Sequence, residues 1–355
     1  MKWLKWVAGT AIGTVFLWLS LGQGHLSELM DCSVQFDGGY LLCGRDAPLM
    51  PPLPPPSAVS GWQVSLYSLA QYLFALTLIH FLRVLRWMPL IQHLTRGRAT
   101  FKEINAISAV GFMAMFLLPF RLGELARPVL LGRRLHIPMA ALLATVVLER
   151  IADGLIVVGL LYLALSNTRT LFDSPEQLEL GAWLSLMVFS GALAGLFLLF
   201  AASETLARWT KTALSSASER LGILAEEVIL RFAKGLQALP DMKSMLTFSS
   251  LSVLYWVING LAIGNAAEGF GLNIGPWMGF NMMACVVIGM MIPNSPGNVG
   301  TFWFFLLLPL HALGDWNQPQ VTVFGISIYF CQLLQQGGLG LWYLVRAPSA
   351  NKITL

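Results

Sequence analysis

Long apolar runs, separated by short polar segments, dominate this chain. A helix rises about 1.5 Å per residue, so about 20 consecutive apolar residues cover the hydrocarbon core of a bilayer. Runs near this length occupy residues 6–21, 64–87, 139–166, 182–201, 245–263 and 320–345. The pattern therefore predicts an all-α, polytopic membrane protein with about six spanning helices.

Two further apolar pieces are too short for a full crossing. Residues 104–118 reach about 22 Å as a helix and residues 301–313 about 20 Å, against about 30 Å of hydrocarbon. Pro119 follows the first piece, and the segment PNSPGNVG precedes the second. We expect two re-entrant helical hairpins, each returning to the side from which it entered. Span, hairpin and span then recur upside down in residues 63–166 and 245–345, an inverted repeat typical of transporters.

The placement of charge predicts the orientation in the membrane. Only 11% of the 355 residues are charged and 56% are hydrophobic, and the formal net charge of +4 is spread too thinly to favour a nucleic-acid partner. If the N-terminus is cytoplasmic, the opposite side carries only Arg45 and Arg169, while the cytoplasmic segments hold most of the lysines and arginines. The positive-inside rule then predicts a multi-pass protein of a bacterial cytoplasmic (inner) membrane, with both termini in the cytoplasm.

This orientation divides the chain into three parts. Residues 1–62 form an N-terminal membrane anchor, with a cleaved signal peptide as the alternative, and an extracytoplasmic, proline-rich loop read as an extended linker. Residues 63–345 form the transmembrane domain, in which residues 182–244 supply a span and a cytoplasmic amphipathic linker between the repeat halves. Residues 346–355 are a cytoplasmic tail.

The four cysteines fall into two pairs of different character. Cys32 and Cys43 share the extracytoplasmic loop, where the compartment is oxidising, and the ten residues between them suit a disulfide. Cys285 and Cys331 lie in apolar runs and are expected to stay reduced. Cysteine and histidine spacings show no metal-binding pattern, so we expect neither a metal nor a cofactor.

Charged residues at apparent membrane depth are the strongest candidates for function. They are Arg121, Glu124, Arg127, Glu149, Arg150 and Asp153. A lone charge at this depth costs about 2.5–3.5 kcal/mol, so these groups must pair or face water. Two interpretations stay open: an internal salt-bridge clamp, or a hydrated cavity that accepts an anionic headgroup, for which the arginine fork suits phosphate.

A second set of candidates lies in the later half. In PNSPGNVG, prolines stop helices and glycines permit tight turns, and the amides before the helix from about Thr301 can bind an anion, although a simple surface loop is the alternative. The glutamines of the last span either complete the cavity or bond between helices. The candidate residues here are Asn294, Pro296, Gly297, Gly300 and Gln332.

Three segments together resemble a known family. LLPFRLGELARP, TVVLERIADG and PNSPGNVGTF are similar to the membrane domain of lysylphosphatidylglycerol synthases/flippases and their stand-alone flippase-like relatives, over roughly residues 60–345. The resemblance implies an integral-membrane lipid translocator with two re-entrant hairpins. It places at the functional core Arg121, Gly123, Glu124, Arg127, Glu149, Arg150, Asp153, Pro296, Gly297 and Gly300.

The function expected is translocation, by a flippase, of a phospholipid or a lipid-linked anionic intermediate. The chain ends ten residues after its last predicted span, so an aminoacyl-transferase domain and aminoacyl-lipid synthesis are not expected. No catalytic residue is assigned. The alternatives are a membrane-embedded lipid-modifying enzyme that uses Glu149 or Asp153 as a general base, or a non-catalytic assembly or regulatory subunit. The partners expected are the lipid and the bilayer, and homo-oligomerisation stays open.

Overall fold

The computed structural model describes residues 33–37, 40–44, 61–118, 123–172, 176–216, 218–237, 241–291, 296–313 and 318–346. The strands are β1 (Ser33–Asp37), β2 (Tyr40–Gly44) and β3 (Gly61–Ser65). The helices are α1 (Leu66–Thr95), α2 (Phe101–Leu117), α3 (Ala126–Leu135), α4 (Met139–Thr168), α5 (Glu176–Ala201), α6 (Ser203–Ser215), α7 (Glu219–Gln237), α8 (Met242–Gly269), α9 (Gly275–Gly289), α10 (Thr301–His311), α11 (Gln318–Gln332) and α12 (Gly338–Arg346). A π-helical turn, Leu333–Gly337, joins α11 to α12.

The expected all-α polytopic class is confirmed, with one small sheet in addition. The antiparallel order is β1-β2-β3, and β3 leads directly into α1. The interpretation of residues 22–61 as an extended linker is therefore wrong for the described strands. Five-residue strands give a weak signal beside the long proline-rich stretch that dominates this segment. Cys32 lies outside the described residues, so its disulfide with Cys43 stays a prediction.

A helical hairpin forms where the first was predicted, because α3 runs back along α2, and its re-entry into the membrane stays a prediction. A Cβ at Gly123 would overlap the backbone of Met115, and a Cβ at Gly111 would press on the side chain of Arg127. Farther from the turn, Arg134 Nη2 lies 2.6 Å from Glu103 Oε1. Positions on α3 therefore rise in number as their partners on α2 fall, which is antiparallel packing. Pro119, the predicted break, lies outside the described residues.

The second hairpin pairs α9 with α10. A Cβ at Gly289 would overlap the ring of Phe305, so the two helices approach closely. The chain turns between them through Pro296–Asn298, where Gly297 has φ 73°. Gly300, with φ 80°, precedes the first residue of α10. Both glycines adopt left-handed backbone that other residues rarely tolerate. The turn Pro296–Asn298 packs against α2, so the two hairpins meet.

Helices from the two predicted halves interlock. Helices α1 and α8 are antiparallel, since Arg86 Nη1 donates to Ser252 Oγ at 3.2 Å near one end, and a Cβ at Gly269 would overlap Ser68 near the other. Helix α2 packs against α12, and α9 packs against α4. The main core of buried apolar residues lies between these helices and continues into α11.

Three described helices are long and apolar enough to cross a membrane, at Leu66–Gln92, Glu179–Ala201 and Met242–Gly269. Helix α4 has 30 residues but carries the buried charges discussed below. Helices α6 and α7 form a helical hairpin, because Lys211 Nζ on α6 lies 2.6 Å from Glu226 Oε2 on α7, and its place as a cytoplasmic linker stays a prediction. The first predicted span, residues 6–21, lies outside the described residues, and the total of six spans stays a prediction.

Candidate functional site

A fully buried arginine joins the two acidic residues of α4. Both terminal nitrogens of Arg86 donate to the carboxylate of Asp153, and the Nη2–Oδ2 distance is 2.8 Å. Arg86 Nη2 also donates to Glu149 Oε1 at 2.7 Å. Glu149 and Asp153 are one helical turn apart and share a face, as their spacing predicts. The single positive charge of Arg86 on α1 therefore compensates part of the negative charge of both buried carboxylates.

Two further arginines complete the ion-pair cluster. Arg127 Nη2 lies 2.8 Å from Glu149 Oε2, and this side chain is 4% exposed. Arg150 Nη2 lies at longer distances, 3.2 Å from Glu149 Oε1 and 3.3 Å from Asp153 Oδ2, and its side chain is 28% exposed. Arg150 is thus the most weakly held and the most accessible cation of the cluster.

Arg83, one turn before Arg86, is buried without a carboxylate partner among the described residues. Its guanidinium carbon lies 3.5 Å from the centroid of the Phe112 ring, and its Nε makes no hydrogen bond. The half-buried Glu124 attracts Arg150. With Arg83 and Glu124 included, the cluster holds four arginines and three carboxylates among the described residues. It therefore carries an excess positive charge.

The sequence pattern misplaced Arg83 and Arg86. The predicted span ends at Trp87 with these arginines at its inner edge, whereas α1 continues to Thr95 and buries both. Arginines near the end of an apolar run commonly extend to the interface, which explains the error. The sequence signal that was missed is the spacing of His80, Arg83 and Trp87. Three- and four-residue intervals place these residues on one helical face, so Arg83 shares its face with an aromatic residue suited to burial.

A cavity of about 140 Å³ lies beside this cluster. Side chains of Phe116, Tyr255, Trp256 and Phe302 contribute apolar walls. The polar side chains that line it are Arg83, Arg150, Asn259, Asn298, Gln332 and Gln336. They come from α1, α4, α8, the turn Pro296–Asn298, α11 and the π-helical turn, so both halves of the chain build the cavity. No carboxylate lines it among the described residues.

The glutamines of the last helix belong to this site. Gln332 Nε2 donates to Tyr72 Oη at 3.1 Å, and Gln332 Oε1 accepts from Gln336 Nε2 at 2.7 Å. A smaller space of about 40 Å³, lined by His80, Arg83 and Gln335 among others, adjoins the cavity. Gln336 lies in the π-helical turn, and single π-turns are frequent at functional sites.

The structure brings some of the predicted site residues together and separates others. Arg127, Glu149, Arg150 and Asp153 form the ion-pair cluster, and Gln332 lines the cavity. Gly123 serves hairpin packing, Gly297 accepts a hydrogen bond at its carbonyl from Tyr329 Oη at 2.8 Å, and Gly300 precedes α10. Pro296 begins the turn whose Asn298 reaches the cavity. Arg121 and Asn294 lie outside the described residues.

Comparison with known proteins gives one finding. No curated protein and no solved structure matches the chain. The family model described as the lysylphosphatidylglycerol synthase TM region matches residues 6–330, which includes both hairpins, the ion-pair cluster and most of the cavity. The chain therefore belongs to the family of the lysylphosphatidylglycerol synthase TM region, a membrane-protein family related to lipid handling.

Proposed function

We propose that this protein is a flippase that moves a phospholipid or a lipid-linked anionic intermediate across the membrane. The observation that carries the proposal is a positively charged, amide-lined cavity at the point where the two hairpins meet. A structural clamp alone needs no cavity and no excess charge. A headgroup pathway needs both, because a phosphate leaves water only for a site that replaces its hydration.

The ion-pair cluster gives this cavity a resting state. Glu149 is fully buried and holds Arg86 and Arg127 at distances of 2.7 and 2.8 Å. Arg150, at 3.2 and 3.3 Å from its carboxylates, can exchange these contacts for a phosphate at lower cost. Binding of a headgroup then replaces pairs within α4, from Arg150 to Glu149 and Asp153, by an external pair.

The packing of the halves supports alternating access. In the proposed inverted repeat, α1 corresponds to α8, α2 to α9, and α4 to the helix formed by α11 and α12. If each helix is replaced by its counterpart in the other half, the contact between α1 and α8 is unchanged. The contact between α2 and α12 becomes the contact between α9 and α4, which is also present. The antiparallel arrangement of α1 and α8 agrees with an inverted relation between the halves. Transporters of this kind rock one repeat against the other around a central site.

The orientation and location belong to the same proposal. We place both termini in the cytoplasm of a bacterium and the domain in its inner membrane, because lysines and arginines concentrate on one side of the predicted spans. The proposal assigns the protein no catalytic step. The headgroup is bound and released without covalent change.

A liposome assay tests the function directly. Protein is reconstituted with a fluorescently labelled phosphatidylglycerol, and loss of the label to a membrane-impermeant quencher reports transfer between leaflets. We expect transfer without a new lipid species, and strong loss of transfer in Arg150→Gln. The matched control is Arg134→Gln, an exposed arginine at the open end of the first hairpin, whose transfer should equal that of the wild type.

The alternatives give different results in this assay. A new lipid species in the extracted lipids indicates an enzyme. Neither transfer nor product, from folded protein in tight vesicles with several anionic lipids, contradicts the flippase proposal and favours a subunit with an assembly role.

A further inference from the structure

Two arginines line the central cavity, and no carboxylate lines it among the described residues. Arg83 and Arg150 both line it. Arg83 feels the positive charge of the other arginines in the cluster, whereas Arg150 is held by Glu149 and Asp153 at 3.2 and 3.3 Å. The carboxylates that hold the cluster together, Glu149 and Asp153, are 0% and 3% exposed and do not line the cavity. A ligand that enters the cavity therefore contacts positively charged side chains and neutral amides, but no negative side chain among the described residues.

We propose that a lipid phosphodiester docks between Arg83 and Arg150, and that the rest of the headgroup is uncharged and bears hydroxyl groups. This inference rests on the proposed function and names the class of its substrate. A glycerol or sugar headgroup fits the description. A headgroup whose ammonium groups outnumber its phosphate does not.

The phosphate is assigned to Arg83 because this residue has unused hydrogen-bonding capacity. Its charge lacks a carboxylate partner among the described residues, and its terminal nitrogens, on a side chain that lines the cavity, donate to none of them. The ring of Phe112 at 3.5 Å fixes the guanidinium plane, so little side-chain freedom is lost when an anion binds. Arg150, which is partly exposed, supplies the second fork.

The hydroxyl groups are assigned to the amides. Asn259 on α8 is half-buried in the cavity wall and makes no side-chain hydrogen bond with another described residue. Gln332 and Gln336 form a chain of amides that ends at Tyr72. Amides both donate and accept, and so does a hydroxyl group, which makes neutral polyols good partners for this wall. An ammonium group only donates, and here it would also be repelled by two guanidinium groups at low dielectric.

This prediction separates the chain from the lipid in its family's description. Lysylphosphatidylglycerol carries two ammonium groups and one phosphodiester, so its headgroup is a net cation. Phosphatidylglycerol has the same phosphodiester and a neutral diol. The cavity of this chain should prefer phosphatidylglycerol, although the two lipids share their backbone and linkage.

Binding to defined lipids tests the inference without any transport step. The full chain is placed in nanodiscs of phosphatidylcholine that contain phosphatidylglycerol, lysylphosphatidylglycerol or phosphatidylmethanol, and affinity is taken from the lipid-dependent rise in unfolding temperature. Phosphatidylmethanol keeps the phosphodiester and lacks the hydroxyl groups. Because charge-assisted hydrogen bonds are at stake, we expect phosphatidylglycerol to bind about tenfold or more tightly than lysylphosphatidylglycerol, and more tightly than phosphatidylmethanol.

Variants assign the two preferences to their residues. Arg83→Met should abolish the preference for phosphatidylglycerol over lysylphosphatidylglycerol, whereas Arg83→Lys should keep it in part. Asn259→Ala should abolish only the preference over phosphatidylmethanol, and it tests the amide wall even if Arg83→Met does not fold. Arg134→Met, at the exposed end of α3, is the matched control and should retain both preferences.

Several results would overturn the inference. Equal or tighter binding of lysylphosphatidylglycerol would do so, as would an unchanged preference in folded Arg83→Met. Soluble glycerol 1-phosphate that binds as tightly as the lipid would identify a free phosphate as the ligand instead. Selective binding without transfer in liposomes leaves this inference standing and contradicts the flippase proposal. Transfer of all lipids without selective binding supports the flippase proposal and contradicts this inference.

Discussion

The ion-pair cluster predicts that removing Glu149 and removing Arg127 lower the free energy of unfolding by different amounts. In Glu149→Gln, the buried Arg127 loses its carboxylate partner, whereas Arg86 and Arg150 keep Asp153. A buried charge left without its partner costs about 3–5 kcal/mol of unfolding free energy. In Arg127→Gln, by contrast, Glu149 keeps Arg86 at 2.7 Å and Arg150 at 3.2 Å. The loss is then that of one charge-assisted hydrogen bond, about 1.5–3 kcal/mol.

The double variant makes this argument quantitative. Arg127→Gln with Glu149→Gln removes the charge and its partner together, so it leaves no isolated buried ion. We expect its cost to fall short of the sum of the single variants by about 2 kcal/mol, within the range seen for contacting pairs. The free energy of unfolding is measured by titrating sodium dodecyl sulfate into mild detergent micelles and following tryptophan fluorescence.

An exposed pair on the same hairpin provides the control. Arg134 and Glu103 have 41% and 27% exposed side chains, so Arg134→Gln should cost only about 0.2–1 kcal/mol. The reasoning is refuted if Arg127→Gln costs as much as Glu149→Gln, or if the two effects simply add. Either result means that the cluster is hydrated enough for water to replace the lost partner.

Three further predictions concern the frame around the site. Gly123→Ala should separate the arms of the first hairpin and cost about 1–3 kcal/mol of unfolding free energy, as overpacking does, visible as a lower unfolding temperature in detergent. A cysteine that replaces Phe120 should react with a membrane-impermeant thiol reagent from the cytoplasmic side, and one that replaces Ser295 from the outside; labelling of both from one side contradicts the inverted repeat. Cys32 and Cys43 should resist alkylation in intact cells until a reductant is added, and free reaction of either thiol rules out the disulfide.

Much of the architecture was predictable because it depends on local pattern. Apolar run lengths indicate a polytopic protein, and short runs beside Pro119 and PNSPGNVG indicate hairpins, since segment length and helix breaking are properties of neighbouring residues. The spacing of Glu149 and Asp153 placed both carboxylates on one face for the same reason. The family resemblance, carried by continuous motifs, was also readable and is confirmed.

The composition of the site was not predictable in this way. Helical period tells which residues share a face, but it does not tell which other helix that face meets. Arg86 reaches Asp153 across 67 residues of chain, and Tyr72 reaches Gln332 across 260. An arginine near the end of an apolar run can extend its side chain toward water instead of being buried, at little cost in free energy. Only the packing of α1 against α4 and α8 decides that Arg83 and Arg86 stay inside, where their charge shapes the cavity.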